Sequence, residues 1–226
     1  MISVITPCYQ HRQYLPQAIG GILKQTIDDF ELILVNDEPT SDLCLYEKID
    51  NRIVVLQDGC NKGQPARLNE GVAYARGDYI AFQDADDWSL PYRLELSLAM
   101  IDEYDALISD AISVQADSMT YIKSPHPLVG VIRQRSFGVF SSTFIRAEIA
   151  KEVFFRHNVG YGNDRCWWID LFRTFPELRV RRINIPLYYY RNYSSTFRPF
   201  QRFPVIRKLH RKYIKYRLQH YVDRLY

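Results

Sequence analysis

Short apolar runs alternate with segments of helical periodicity over the first 110 residues. The runs are apolar at nearly every position and rich in Ile, Val and Leu, which is typical of strands buried on both faces. They are Ile2–Thr6, Phe30–Val35, Ile53–Leu56 and Tyr79–Phe82. Apolar residues recur at helical spacing near 13–25, 65–75 and 91–101, and 41–49 is predicted to form a short helix. This alternation predicts an α/β fold with a mostly parallel sheet flanked by helices.

The pattern becomes less regular in the second half. Asp105–Ser109 is predicted to form a fifth strand, and residues 147–155 and 164–172 are predicted to be helical. Ile183–Tyr190 resembles a strand but contains Pro186. Because proline cannot donate to a ladder, this strand is expected at an edge or at a bulge. Residues 204–226 contain no internal Gly or Pro and predict one terminal helix.

Charge is distributed unevenly along the 226 residues, although the net charge is only +3. Residues 1–110 contain 8 Lys and Arg against 19 Asp and Glu, whereas residues 111–226 contain 21 against 7. No apolar run approaches the roughly 20 residues of a membrane-spanning helix. The acidic half suits a metal site, and the basic half suits phosphates or an anionic surface.

Polar residues collect where the predicted strands end. Ligands of open α/β sheets bind outside the carboxyl ends of the strands, so this edge is the expected site. The residues concerned are Thr6, Tyr9, Asn36, Asp37, Asp58, Asp84, Asp86 and Asp87.

The segment DYIAFQDADDW, residues 78–88, carries the strongest chemical signal. A strand ends there and is followed by three carboxylates within four residues. Clustered carboxylates repel one another, and a shared hard cation such as Mg²⁺ or Mn²⁺ relieves that repulsion. The alternative is a capped turn before the next helix, but the matching polar residues at other strand ends favour a metal site.

Five strings in order make the chain resemble the family-2 glycosyltransferases, which have the GT-A fold and use nucleotide-sugar donors. They are SVITPCYQHRQYLPQAI, ELILVNDEPTSD, NKGQPARLNEGVAYARGDYIAFQDADDW, GYGNDRCWWIDLF and PLYYYRNYSS. The resemblance extends from Ile2 to about Ser195. It implies one GT-A domain, with a nucleotide-sugar-binding half at 1–110, an acceptor and catalytic half at 111–198, and a basic helical tail at 199–226.

The resemblance implies a UDP-sugar donor and a set of residues that bind it. Thr6, Pro7 and Tyr9 would line the nucleotide pocket, where Tyr9 can stack on the base. By the same resemblance, Asp37 would accept from the uracil imide and Arg67 would lie near the base and phosphates. A solvated helix arginine is the alternative for Arg67.

The same resemblance assigns the carboxylates after the fourth strand. Asp84 would lie near the ribose, and Asp86 would be the metal ligand that bridges to the diphosphate. Asp87 would cap or orient the loop. The divalent cation implied is Mn²⁺ or Mg²⁺.

Asp164 is the implied catalytic base, which would take the proton of an acceptor hydroxyl. The family has an acidic pair at this place, whereas this chain has Asn163 before Asp164. An N-cap role is the alternative for Asp164. Trp167 and Trp168 are either an acceptor platform or part of the core.

Arg191 would contact the diphosphate as a permanent cation. Family members often have a His shortly after this arginine, and none follows it here in Asn192–Ser195. No nucleophile is evident, so the resemblance implies inversion by direct displacement.

Residues 204–226 pair a stripe of apolar and tyrosine side chains with many cations. Such a helix suits an anionic membrane surface, as a lipid-linked acceptor would require. The alternative is that the stripe packs on the catalytic domain or on a second copy. No nucleic-acid-binding module accompanies the charge, so no nucleic acid is expected.

The sequence therefore predicts a metal-dependent, inverting glycosyltransferase that moves a sugar from a UDP-sugar to an acceptor hydroxyl in polysaccharide or lipid-linked glycan synthesis. It predicts a cytoplasmic location, and the alternative is peripheral attachment at the inner face of the membrane. Nucleotidyl transfer is disfavoured because Thr6–Gln10 is not a Gly-rich basic loop. A degenerate family member that binds nucleotide or a membrane without turnover is the other alternative, motivated by Asn163 and the missing His.

Overall fold

The computed structural model describes residues 1–10, 12–115, 118–122, 124, 139–157 and 163–192. These residues form a nine-stranded mixed sheet with helices on both faces. The strands are β1 Ile2–Cys8, β2 Phe30–Asn36, β3 Ile53–Leu56, β4 Tyr79–Phe82, β5 Trp88–Ser89, β6 Ala106–Gln115, β7 Ser118–Ile122, β8 Thr143–Arg146 and β9 Val180–Arg191. The helices are α1 Leu15–Leu23, α2 Gln64–Tyr74, α3 Arg93–Ile101, α4 Ala147–Ala150 and α5 Asn163–Thr174, with short 3₁₀ turns at Cys44–Lys48 and Phe140–Ser142.

The first four strands form the parallel sheet that the apolar runs predict. The order is β3-β2-β1-β4, and each neighbouring pair is parallel. Every residue of β2 is buried, as expected for a strand covered on both faces. The carboxyl ends of β1, β2 and β4 therefore meet at one edge of the sheet.

The second half of the chain extends this sheet by antiparallel as well as parallel pairing. β8 is antiparallel to both β4 and β6, β6 is parallel to β9, and β9 is antiparallel to β5. The α/β class with flanking helices is confirmed, and parallel pairing dominates only in the first half. The proposed division at residue 110 falls within β6 and remains a prediction.

Alternating side chains of the sheet face two separate hydrophobic clusters. Val4, Leu32 and Leu34 belong to the cluster that contains residues of α1 and α3. Ile5 and Ile33 belong to the cluster that contains residues of α2 and α5. The period of two along each strand thus buries both faces of the sheet.

β9 contains the irregularity that Pro186 predicts. Its register against β6 shifts on either side of Asp110, which lies opposite Pro186. The strand pairs with β6 along its length and with β5 near its end, so it is a bulged strand. A bulge accommodates the missing N–H without leaving a buried acceptor unpaired.

The helix predicted over residues 147–155 ends early, at Ala150. Asn69 of α2 holds the chain beyond this helix, because its side-chain amide pairs with the backbone of Phe155, the last residue of the predicted helix. Asn69 Nδ2 donates to Phe155 O at 2.9 Å, and Phe155 N donates to Asn69 Oδ1 at 2.8 Å. A distant partner therefore takes backbone groups that a longer helix would use.

The predicted helix 204–226 lies outside the described residues. Within the part of the chain that the structure describes, no helix combines the length and the apolar character needed to cross a bilayer.

Candidate donor-binding site

A cleft of about 470 Å³ opens at the carboxyl ends of β1, β2 and β4. It lies where the strand-end pattern predicts a site. The lining residues are Pro7, Cys8, Tyr9, Asp37, Asn61, Gly63, Gln64, Asp84, Ala85, Asp86 and Tyr190. The cleft thus brings together five of the predicted residues from three different strand ends.

Asp37 follows β2, and backbone and side-chain donors hold its carboxylate. The N–H groups of Lys62 and Gly63 donate to it at 2.7 and 3.0 Å, and Arg67 Nε donates at 3.0 Å. Among the described residues Oδ1 accepts from all three, whereas Oδ2 accepts from Gly63 alone. A carboxylate oxygen can accept more than one hydrogen bond, so Oδ2 retains acceptor capacity in the cleft.

Arg67 is 1% exposed and does not line the cleft. Besides Asp37, its guanidinium donates to Glu70 at 2.6 Å, to Asp58 at 2.7 and 3.3 Å, and to the carbonyl of Cys60. A guanidinium has five N–H groups, and these contacts use all of them. In this arrangement Arg67 positions Asp37 from beside the cleft, and its place near the base and phosphates remains a prediction.

The electrostatics of Arg67 agree with this positioning role. Burial by itself lowers the pKa of Arg67, but hydrogen bonds to Asp58, Glu70 and Asp37 outweigh burial and raise the pKa above its usual value. The same contact from Arg67, with Lys62, lowers the pKa of Asp58. Arg67 and Asp58 are therefore both charged at neutral pH.

The residues at the end of β1 divide between the core and the cleft. Pro7 and Tyr9 line the cleft, and Tyr9 is 41% exposed, which suits a side chain that stacks on a base. Thr6 is 1% exposed and is not part of the lining. Its buried Oγ1 has no hydrogen-bond partner among the described residues. The prediction that Thr6 lines the pocket is therefore corrected, since its side chain belongs to the buried layer of the sheet.

Asp84 lines the cleft two residues after the end of β4, and its pKa is shifted by burial and by nearby charges. Its pKa is raised to about 6, chiefly by burial and also by the nearby charges of Asp86 and Asp164. Ser141 Oγ donates to its Oδ2 and partly offsets these effects. Asp164 therefore lies close enough to act on the same cluster of carboxylates.

Asp86 and Asp87 have different environments although they are adjacent. Asp86 lines the cleft, whereas Asp87 is 1% exposed and its Oδ1 accepts from the backbone N–H of Arg191 at 2.6 Å. Burial, together with the charges of Asp84 and Asp86, raises the pKa of Asp87 well above its usual value. Asp87 thus orients the loop, as expected, and Asp86 faces the ligand space.

Arg191 is 6% exposed and is not among the cleft-lining residues. Its Nε donates to the carbonyl of Asp86 and its Nη2 donates to Gln17 Oε1, each at 2.7 Å. The guanidinium lies 4.1 Å from the ring centroid of Tyr14 and 5.1 Å from that of Trp88. Arg191 therefore fixes the Asp86 loop against α1, and the expected diphosphate contact remains a prediction.

Asp164 lies in the first turn of α5, and Trp167 and Trp168 follow on the same helix. Both tryptophans are 0% exposed and belong to the core, and Trp167 Nε1 donates to Val153 O at 2.9 Å. The acceptor-platform alternative for the two tryptophans is therefore wrong. Their packing instead sets where the start of α5 and Asp164 lie.

The carboxylates of the cleft fit a divalent cation only in part. Asp84 and Asp86 line one cleft and repel each other, and a cation would relieve that repulsion. Among the described residues no ready-made group of three His, Cys, Asp or Glu is present. Mg²⁺ commonly takes one or two carboxylates and completes its shell with water and substrate phosphates, and the two carboxylates fit that mode.

The sequence patterns missed part of the cleft, namely Asn61, Gly63, Gln64 and Tyr190. Gly63 has a φ of 84° and immediately precedes α2, so the turn that brings this loop to the cleft requires a residue without a side chain. The string NKGQP contains this signal as a Gly shortly before a first-turn Pro. Tyr190 had no comparable signal. It follows two other tyrosines in the sequence, Tyr188 and Tyr189, which are fully buried, and the sequence pattern does not distinguish the three.

The chain is similar in sequence to known proteins. Residues 3–213 match the family described as Glycosyl transferase family 2. An uncharacterized glycosyltransferase of Rickettsia bellii is 31% identical over 187 residues, which cover 75% of this chain and 26% of that protein. A putative teichuronic acid biosynthesis glycosyltransferase of Bacillus subtilis, TuaG, is 35% identical over 113 residues, covering 48% of this chain and 45% of TuaG. This chain thus aligns with about a quarter of the first relative and under half of the second.

Solved structures share the fold at low sequence identity. Residues 1–349 of TarS from S. aureus, in complex with UDP-GlcNAc, superpose with a TM-score of 0.71 at 21% identity, covering 86% of this chain and 59% of that one. The mannosyltransferase PcManGT from Pyrobaculum calidifontis, in complex with GDP-Man and Mn²⁺, gives a TM-score of 0.61 at 13% identity, covering 83% and 56%.

Proposed function

Because the chain belongs to glycosyl transferase family 2, we propose that it transfers a sugar from a UDP-sugar to an acceptor hydroxyl with inversion at the anomeric carbon. The observation that carries this proposal is the convergence of Asp37, Asp84 and Asp86 on one cleft, with the charge of Asp164 acting on Asp84. In this proposal Asp37 recognises the nucleobase, Asp84 and Asp86 bind the cation, and Asp164 accepts the proton.

Donor recognition begins with the base. Asp37 accepts from the imide N–H of uracil through Oδ2, which retains acceptor capacity, while Arg67 holds the carboxylate in place. Tyr9 stacks on the base from the rim of the cleft. The TarS complexes with UDP and with UDP-GlcNAc support uracil as the base for this fold, whereas the PcManGT complex contains guanine.

Asp86, with Asp84 beside it, would hold Mg²⁺ or Mn²⁺ against the diphosphate. The bound cation supplies positive charge that stabilises the departing diphosphate. Arg191 keeps the Asp86 loop in place by donating a hydrogen bond to the Asp86 carbonyl.

The acceptor oxygen attacks the anomeric carbon as the bond from that carbon to the diphosphate breaks. Asp164 takes the hydroxyl proton, and UDP leaves. One displacement inverts the configuration. The TuaG relative, which its description assigns to teichuronic acid biosynthesis, supports a polysaccharide or lipid-linked glycan acceptor.

A screen of purified protein against nucleotide sugars, with and without Mn²⁺, tests this proposal. We expect turnover of a UDP-sugar that requires the cation, and calorimetry should detect binding of UDP with Mn²⁺. Absence of UDP binding in the presence of Mn²⁺ would contradict the proposal.

Asp164→Asn separates the enzyme from a degenerate binding protein. We expect the rate to fall by about a hundredfold or more, the usual contribution of a general base, with UDP affinity unchanged. Asp170→Asn is the matched control in the same helix, because Asp170 pairs with Arg156 away from the cleft. Equal activity of wild type and Asp164→Asn would exclude Asp164 as the base.

We also propose that the basic tail, residues 204–226, attaches the enzyme to an anionic membrane surface, where a lipid-linked acceptor would be found. Its excess of Lys and Arg supports this assignment. Packing of the tail on the catalytic domain or on a second copy is the alternative, and a truncation described in the Discussion distinguishes them.

A further inference from the structure

Arg93 is a buried cation that the proposed chemistry does not use. It is the first residue of α3, and its side chain is 1% exposed. Its Nη2 donates to the carbonyls of Phe82 and Ser141 at 2.8 and 2.6 Å, and its Nη1 donates to Ser89 Oγ at 2.9 Å. One guanidinium therefore joins the end of β4, the strand β5 and the turn before β8.

These contacts lie on both sides of Asp84. Phe82 ends β4 two residues before Asp84, so the first contact holds the strand end from which the carboxylate projects. Ser141 donates its Oγ to Asp84 Oδ2, so the second contact holds the residue that orients the carboxylate. Both backbone segments meet at Arg93.

Tyr188 and Gln83 complete this buried network. The guanidinium lies 5.0 Å from the ring centroid of Tyr188, and the Tyr188 hydroxyl accepts from the backbone N–H of Asp84 at 2.9 Å. Gln83 Nε2 also donates to that hydroxyl, at 3.2 Å, while Gln83 Oε1 accepts from Ser89 Oγ at 2.7 Å. The backbone and the carboxylate of Asp84 are thus both held by groups that contact Arg93.

The charge of Arg93 is not cancelled by an ion pair with any carboxylate among the described residues. Burial lowers the pKa of Arg93 to about 10, which leaves the guanidinium charged at neutral pH. Its charge acts on Asp84 and partly opposes the effect of Asp86. The protein itself therefore places the positive charge of Arg93 near Asp84, before any ligand binds.

We propose that Arg93 is a positioning residue of the donor site, which fixes Asp84 for donor binding by joining the two backbone segments that hold it. The proposal rests on the proposed function for its effect on donor affinity. The effect on the order of the Asp84 loop does not depend on that function.

Arg93→Met and Arg93→Lys test the proposal, with Arg146→Met as the matched control. Arg146 also donates to two backbone carbonyls, those of Tyr104 and Asp102, and packs on the ring of Tyr79. It pairs with the start of β4, at the opposite end of that strand from Asp84. The control therefore removes a similar set of contacts far from the cleft.

We expect Arg93→Met to weaken binding of UDP with Mn²⁺ by about tenfold or more, the usual effect of losing hydrogen bonds from a charged donor. Backbone amides of residues 83–88 and 141–143 should exchange faster with deuterium, while Arg146→Met leaves both measurements at their wild-type values. Arg93→Lys should restore part of the affinity, because it keeps the charge but cannot join both segments.

Wild-type exchange rates at residues 83–88 in folded Arg93→Met would overturn the proposal, as would equal losses of UDP affinity in the Arg93→Met and Arg146→Met variants. If wild-type protein binds no UDP, the proposed function fails and the exchange measurement still decides the role of Arg93. If Arg93→Met does not fold, the exchange and affinity of Arg93→Lys decide it by the same comparison.

Discussion

At the scale of single residues, the donor cleft depends on an ion pair that is almost entirely buried. The side chains of Arg67 and Asp37 are 1% and 5% exposed, and their closest N and O atoms are 3.0 Å apart. Buried charges are stable only when partners replace the lost water, and Arg67 does this for Asp37 while Asp58 and Glu70 do it for Arg67. Under our proposal, stability and recognition of the nucleotide base are therefore coupled through the side chain of Asp37.

Arg67→Met should lower the free energy of unfolding by about 3 kcal/mol, because it leaves a buried carboxylate without its cation. Urea denaturation measures this change. Arg156→Met is the control, since Arg156 is 52% exposed and pairs with Asp170 at the surface, where loss of the pair costs about 1 kcal/mol or less. Equal destabilisation by the two variants would contradict the importance of burial.

Asp84 predicts a pH dependence of stability. Its folded-state pKa of about 6 exceeds the usual 3.8, so the folded protein favours the protonated form. The contribution of Asp84 to stability is therefore greatest below about pH 4 and falls as the pH rises through 6. Asparagine does not titrate, so Asp84→Asn should not lose stability in this way as the pH rises. Without metal, we expect this variant to be more stable than wild type at pH 7.5 by about 2 kcal/mol, which is less than the full pKa shift would give because Asp84 is partly exposed.

Urea denaturation in EDTA at pH 4.5 and 7.5 measures this difference. Glu31→Gln gives the opposite sign, because hydrogen bonds from Ser3 and Arg76 outweigh burial and lower the pKa of Glu31. Relative to wild type, that variant should lose stability as the pH rises from about 3 to 5, the range below and around the usual Glu pKa, so its denaturation is also measured at about pH 3. An Asp84→Asn variant whose advantage does not grow with pH would contradict the assignment.

At the scale of secondary-structure elements, the position of α2 depends on close packing against β1. A Cβ at Gly71 would lie 2.5 Å from Cγ2 of Ile5 and 3.2 Å from Cγ2 of Val35. The helix can approach the sheet only because this position lacks a side chain. The N-terminal end of α2 carries Gln64 to the cleft and holds Arg67 beside Asp37, so this contact also places part of the site.

Gly71→Ala should destabilise the protein by about 1–3 kcal/mol, the usual cost of overpacking a core. Gly20→Ala in α1 is the matched control, because no atom lies within 4 Å of the added Cβ. There the greater helix propensity of Ala should stabilise the protein by about 0.5–1 kcal/mol. Urea denaturation of both variants should give changes of opposite sign, and the same sign would contradict the packing argument.

At the scale of the whole molecule, the cleft and the basic tail are separate in sequence. The residues that line the cleft lie between Pro7 and Tyr190, whereas the tail is at 204–226. The acidic half supplies the three carboxylates of the cleft, Asp37, Asp84 and Asp86. The uneven charge of the chain thus reflects two different tasks under our proposal.

Truncation after residue 198 should leave the affinity for UDP with Mn²⁺ within about twofold of wild type, since changes away from a site usually have effects of about 0.5 kcal/mol or less. Sedimentation with vesicles that contain anionic lipid should fall sharply on truncation. Binding of the full chain should also weaken at high salt, because salt screens surface charge. Loss of self-association on truncation, without vesicle binding by the full chain, would instead support packing of the tail on a second copy.

Local composition predicted most elements of the first half and the edge of the sheet where the cleft opens. Runs such as Phe30–Val35 are apolar except for Glu31 and stop at a polar residue, so local composition indicates both the strand and the end at which the cleft opens. The family and its fold followed from strings at these ends, and both are confirmed. Asp37, Asp84 and Asp86 were identified because their spacing from a strand end is a local property.

Which side chains face the cleft depends on contacts between residues that are distant in the chain. Thr6, Arg67 and Arg191 occupy positions that suggest ligand contact, yet each is buried, and the two guanidinium groups are bound by protein acceptors. Those acceptors come from residues far away in the chain, such as Asp37 for Arg67, and local patterns do not report them. The chain after α4 is held by a similarly distant residue, because Asn69 pairs with the backbone groups of Phe155 from 86 residues away.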